Sequence, residues 1–200
     1  MTPLMIQGDR DSAVLALQIG RRLRAASTVL RRCDLGLPIV AEVPPILDTG
    51  EPFPTRYWLT CPLAHRRLAR IEAQGGVRAA QAKVAADPAF KAALEAAHAR
   101  YARDRDAALR GERAVGTALC GERATGGHRP SGGVGGSSGG VKCLHAHYAD
   151  FAAGNDNPIG RDLHAVIGES CCDVPCVAIV DGSLQRNPDW REPTDDDDPG

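Results

Sequence analysis

Aromatic residues are scarce: they make up 4% of the 200 residues, as three Phe, three Tyr and two Trp. The core must then rest on Ala, Leu, Val and Ile, which an apolar fraction of 43% allows. An excess of one charge is also missing, since 24 Lys and Arg stand against 25 Asp and Glu. That balance argues against nucleic acid as a partner and gives no global attraction to a charged membrane surface. No stretch approaches the ~20 apolar residues of a membrane span. A basic start followed by an apolar run is absent from the N-terminus, so no signal peptide is expected. The expected location is cytoplasmic, where thiols stay reduced. There is no internal repeat and no CxxC pair, so no familiar zinc module is predicted from spacing.

What the chain has in quantity is glycine, 22 residues, and cysteine, seven residues. An odd cysteine count fits a disulfide framework poorly and leaves metal ligation, redox chemistry or buried thiols. The two residue types meet in 132–160, where a glycine-rich loop runs into Cys143, His145 and His147. Leu144, Tyr148 and Phe151 recur at helical spacing, and Gly154 and Asn155 supply a stop. A helix here puts Cys143, His147 and Asp150 on one face and points His145 roughly the opposite way. A strand would put Cys143, His145 and His147 on one face instead.

Upstream, Asp11 is placed to cap a helix from Ser12 to Ile19, with Gly20 as its stop. Arg21, Arg22, Arg24, Arg31 and Arg32 follow and read as a solvated basic surface. Two β-prone runs, 37–43 and 56–61, flank an irregular proline-rich connection. If they pair antiparallel, Val43 lies near Arg56, and Cys33 and Cys61 come to one end of the hairpin. Pro62 then opens a helical region to about Arg110, broken at Gly75–Gly76 and again at Asp87–Pro88. Its charged end, near 100–113, is expected to project and to offer a surface to a protein partner. A further helix starts at Asn157–Pro158, and 177–180 reads as a strand able to join the small sheet. The prediction is a single mostly helical α+β domain over 9–182 with a small antiparallel sheet. It includes a flexible glycine-rich loop at 111–140, and an acidic tail at 183–200 is expected to be disordered.

Several pieces together resemble a bacterial domain-of-unknown-function family, number 501, common in high-GC Gram-positive bacteria. They are QIGR (Gln18–Arg21), RCDLGLPIV (Arg32–Val40), PFPTRYWLTCP (Pro52–Pro62), RIEAQGGV (Arg70–Val77), GVGG (Gly133–Gly136) and VKCLHAHYA (Val141–Ala149). The resemblance spans roughly residues 9–170 and implies no particular activity. Cys171, Cys172 and Cys176 lie at or beyond its edge.

Three readings of function follow from the residues. In the first, Cys33, Cys61, Cys143 and His147 hold a metal ion, zinc by donor chemistry, with Cys172 and His145 as substitutes. In the second, Cys143 is a nucleophile near a helix N-terminus, with His147 or His145 as its base. In the third, the cysteines are packing residues of a regulatory or interaction protein. In the first two, the glycine loop adds an anion cradle from Gly133, Gly135, Gly136 and Lys142, suited to a small or phosphorylated anion. The loop is not a P-loop, because Cys143 stands where Ser or Thr is required.

Overall fold

The computed structural model describes residues 7–111, 129–169 and 172–193. Their order is α1 (Gln7–Ile19), β1 (Thr28–Arg32), β2 (Pro38–Glu42), β3 (Tyr57–Leu59), α2 (Pro62–Ala73), α3 (Gly76–Ala86) and α4 (Pro88–Leu109). A 3-10 turn (Val134–Gly136), α5 (Leu144–Ala152), α6 (Pro158–Ile167), β4 (Val177–Val180) and β5 (Ser183–Arg186) follow. This is the mostly helical α+β architecture expected. Cys120, Cys171, residues 112–128 of the glycine-rich stretch and the acidic run at 195–198 lie outside the described residues.

β2 is the centre of a three-stranded antiparallel sheet, as its buried apolar run dictates. Val40 pairs with Leu59, and the Val43 amide donates to the Arg56 carbonyl at 2.7 Å, in the expected register. β1 is not foreseen by the sequence reading, because its arginines mark the run as surface. It is an edge strand, where exposed Arg31 and Arg32 cost little and discourage further pairing. β4 does not join this sheet. Asp181 and Gly182 both take positive φ, 52° and 76°, and fold the chain back into a separate hairpin with β5. Residues 183–186 therefore belong to a strand and not to the expected tail.

The helical region breaks where expected. Asp87 caps α4 by accepting from the amides of Ala89 and Phe90 at 2.9 and 3.0 Å. The charged end of α4 does not project, however. Tyr101 and Arg105 are buried, Arg105 donates to the Gly132 carbonyl at 2.5 Å, and Arg100 reaches Asp150 at 2.6 Å. These arginines turn inward because buried acceptors need them. α1 starts earlier than expected, so Asp11 lies inside it and pairs with Arg32 at 2.6 Å instead of capping. In the core, α5 packs against β3, α2 and α6 around Leu63, Leu68, Leu144, Tyr148 and Ile159.

Candidate functional site

Helix α5 begins where the end of α2 meets it. Cys143 is the N-cap residue in extended conformation, but its sulfur makes no capping bond. Glu72 does that work from α2, accepting from the Leu144 amide at 2.6 Å. The same Glu72 Oε1 lies 3.2 Å from His145 Nδ1, and Cys143 Sγ lies 3.8 Å from that nitrogen. One donor atom from each of the three lies within 4.8 Å of the others. His145 Nε2 is 3.1 Å from the His65 carbonyl, which can only accept, so Nε2 carries a proton and Nδ1 faces the cluster. A backbone carbonyl on the far nitrogen is the usual way a metal-binding imidazole is oriented.

The electrostatics of this cluster are coupled. Burial opposes charge on His145, but the Cys143 sulfur, the Glu72 carboxylate and the His65 carbonyl overcome it and push its pKa up to about 9. Burial also acts against charge on Glu72, yet the Leu144 amide and His145 hold its carboxyl below the ordinary range. His65, whose ring lies 4.4 Å from that of His145 at a 46° tilt, is pushed down by burial and by that neighbour. Without a metal, the site is thus an imidazolium beside a carboxylate, with the Cys143 sulfur next to both.

His147 stands apart from this cluster. It is fully buried, its Nδ1 pairs with the Asn157 amide group at 3.2–3.3 Å, and burial with His98 nearby holds its pKa down at about 4. Asn157 also donates to Asp150 at 2.9 Å, and Arg100 completes the chain. This is a core polar network that fixes α5 against α4 and α6. The expected pairing of Cys143 with His147 is absent because Cys143 precedes the first helical turn and is extended.

The glycine loop is wrapped on α4. The Val134 amide donates to His98 Nδ1 at 3.0 Å, and His98 Nε2 lies 3.0 Å from the Gly140 carbonyl. A Cβ at Gly133 would collide with the His98 ring, which explains glycine there. The amides of Gly133 and Gly136 donate to Ser137 and Gly133 carbonyls at 2.7 and 3.0 Å. Those donors are spent within the loop rather than aimed outward, and Lys142 is exposed. The loop packs against the start of α5, and two of the amides of the expected anion cradle are bonded within the loop itself.

Cys33 and Cys61 do come together, as the hairpin argument expects, but their companions are Cys172 and Cys176. All four line one cavity of about 20 Å³, together with Leu63 and Trp190. Burial pushes the Cys172 and Cys176 thiols up, and the neighbouring cysteines add to the effect. Beside this cavity, a groove of about 390 Å³ is lined by Arg21, Arg66, Arg186, Trp58, Trp190 and His65. Arg21 lies over Trp58 at 5.2 Å and Arg66 over Trp190 at 4.9 Å.

Sequence reasoning missed two residues of these clusters. Glu72 carries no local signal, because only the packing of α2 on α5 brings it to Cys143. Cys176 did carry one: Cys172 and Cys176 have the C-x3-C spacing of many metal sites.

A family model described as a protein of unknown function (DUF501) matches residues 29–165. That span includes Cys33, Cys61, Glu72, Cys143 and His145 and ends before Cys172. No curated protein and no solved structure matches the chain.

Proposed function

The chain belongs to the DUF501 family, and from that premise we propose that it is a metal-binding protein with an open centre at Glu72, Cys143 and His145. The observation that carries this reading is the convergence of a carboxylate, a thiol and an imidazole within 4.8 Å. A mixed sulfur, nitrogen and oxygen donor set suits zinc. Three protein ligands leave a fourth position for water or another small ligand, the arrangement of exchangeable sites. All three side chains are half-buried, so a solute can reach them. The arginine-lined groove borders His65, whose ring lies 4.4 Å from that of His145, and offers an anionic ligand a path to that position. Zinc titration by calorimetry tests the reading. Glu72→Gln, Cys143→Ser and His145→Ala should each weaken this binding event by about tenfold or more, since even outer-shell partners cost that much. Equal zinc binding at this event in all three variants rejects it.

One observation favours a second reading, thiol chemistry at Cys143. His145 Nδ1 lies 3.8 Å from the Cys143 sulfur, and that sulfur sits at a helix start, the setting of a cysteine nucleophile with a neighbouring imidazole. Alkylation by iodoacetamide separates the two. Rapid labelling of Cys143 that zinc does not slow supports the thiol reading, and labelling that zinc blocks supports the metal centre.

A further inference from the structure

We propose a second, closed metal site in which Cys33, Cys61, Cys172 and Cys176 hold one zinc ion and pin the C-terminal segment to the domain. It is independent of the open centre and lies at the other end of α2.

The four thiols come from three places that the fold brings to one cavity. Cys33 heads the turn between β1 and β2, which its backbone closes at both ends: its amide donates to the Leu37 carbonyl at 2.9 Å, and its carbonyl accepts from Gly36 at 2.8 Å. Cys61 follows β3 and is the N-cap residue of α2. Cys172 and Cys176 lie on the loop before β4, which Asn187 braces by donating from its backbone to the Cys176 carbonyl at 3.0 Å and from its side chain to the Pro175 carbonyl at 2.9 Å. None of these four is in a disulfide. The backbone is thus set around the cavity before any ion arrives.

The cavity suits an ion better than it suits water or a side chain. Its volume, about 20 Å³, is close to that of one small guest. Water needs strong polar partners, and four sulfurs offer only weak ones. No three of the four sulfurs lie within the 4.8 Å that groups the open cluster. Coordination at a Zn–S distance of about 2.3 Å draws them inward by side-chain rotation into the space between them. Binding releases four protons, one from each thiol, and leaves a zinc tetrathiolate of net charge minus two.

The surroundings are prepared for that charge. Gln18 Nε2 donates to Cys176 Sγ at 3.4 Å. The Trp190 indole nitrogen is buried without a hydrogen-bond partner, on a residue that lines the same cavity. Donors of this kind on ligand sulfurs are the outer shell that metal–thiolate sites use.

The segment that such an ion would hold needs an anchor. β4 and β5 form a two-stranded hairpin, which is marginal alone, and its Ile179 is 67% exposed. Its other ties to the body are the buried Val177, Trp190 under Arg66, Arg186 to the Leu17 carbonyl at 2.7 Å and Glu192 to Arg70, and none of them holds the 172–176 loop itself.

The test uses the full chain purified without tag or chelator. Elemental analysis, thiol counting and intact mass are read on wild type, Cys176→Ser and Cys143→Ser. Limited proteolysis with and without a chelator is added, because it needs no variant to fold. The proposal expects about one tightly held zinc that survives Cys143→Ser and is lost in Cys176→Ser. It also expects four thiols to be shielded until the metal leaves, and cleavage near 170–193 to appear on chelation. Zinc absent from wild type, zinc lost only with Cys143→Ser, iron in place of zinc, or a mass showing disulfides among these four cysteines would each overturn it. Failure of the open centre alone reads differently, as zinc content indifferent to Cys143→Ser together with no weaker second binding event.

Discussion

At the N-terminal end of α2, Cys61 lines a cavity with three other cysteines; in its last turn, Glu72 faces one cysteine and one imidazole. The two residues are eleven positions apart on one helix, which sets them about 16 Å apart along its axis. The difference between these ends is one of closure. Four soft donors complete a zinc shell and leave nothing to exchange, so an ion there contributes folding energy. Three mixed donors at a half-buried helix start leave a position open, so an ion there contributes chemistry and little stability. On the two proposals, one helix would separate an anchoring role from a reactive one.

The sharpest way to break this comparison is thermal unfolding of Cys176→Ser beside Cys143→Ser. Losing the closed site should cost about 3 kcal/mol or more, a fall in Tm of roughly 6–12 °C for a chain of this size. Equal shifts in the two variants would erase the distinction between the ends of α2. A control shows that a large loss of stability need not be loss of metal. Asp150 is fully buried and shared by Arg100 and Asn157. Arg100→Met strands that carboxylate and should destabilise by about 2–4 kcal/mol, while zinc content in elemental analysis stays at the wild-type value. Zinc falling in step with stability would mean that the core and the cysteine pocket unfold as one unit.

The core also has an acid dependence of its own. His147 holds off its proton until about pH 4 in the folded state, while the unfolded chain takes one up near 6.5. Between those values the unfolded state binds more protons, so stability rises with pH through this window and is lost as pH falls through it. At about 1.4 kcal/mol per pH unit, the whole window is worth up to ~3 kcal/mol. Asp150, held high by burial, acts with the opposite sign. His147→Gln leaves the residues of both proposed sites in place and should flatten the difference in stability between pH 7 and pH 4.5, measured by urea unfolding. An unchanged slope would place the acid sensitivity in groups other than His147.

Local signals carried much of the fold. The breaks at Gly75–Gly76 and Asp87–Pro88, the Pro62 start of α2 and the 40/59 pairing follow from turn chemistry, capping and alternation. The Asp181–Gly182 turn was equally legible as a hairpin signal, but its strands are short and flank an acidic end that reads as tail. β1 was hidden by arginines that suit an edge. The functional clusters were less accessible, for a physical reason. A hairpin argument could bring Cys33 and Cys61 together because both flank its strands. Bringing Cys172 and Cys176 to them requires the chain to return across α1 after α6, and no periodicity encodes that return. His147 was assigned to a ligand set from its helical face, yet the face that carries a residue does not say whether it meets solvent or α4.

The smallest stability effect expected is the most informative about the open centre. Cys143→Ser removes a sulfur that caps nothing, and the Leu144 amide keeps its bond to Glu72. The Tm change should stay within that of ~1 kcal/mol. Glu72→Gln keeps an oxygen for that amide and removes only the charge facing His145. If His145 is charged because of this carboxylate and the Cys143 sulfur, its NMR titration in metal-free protein should move down from about 9 in both variants, with the fold intact. A midpoint that stays near 9 in both would assign the charge to the His65 carbonyl alone, and the cluster would then be a helix cap with a histidine beside it. Movement in both, with zinc binding weakened in parallel, would tie the three side chains into one centre whose purpose is the ion they face.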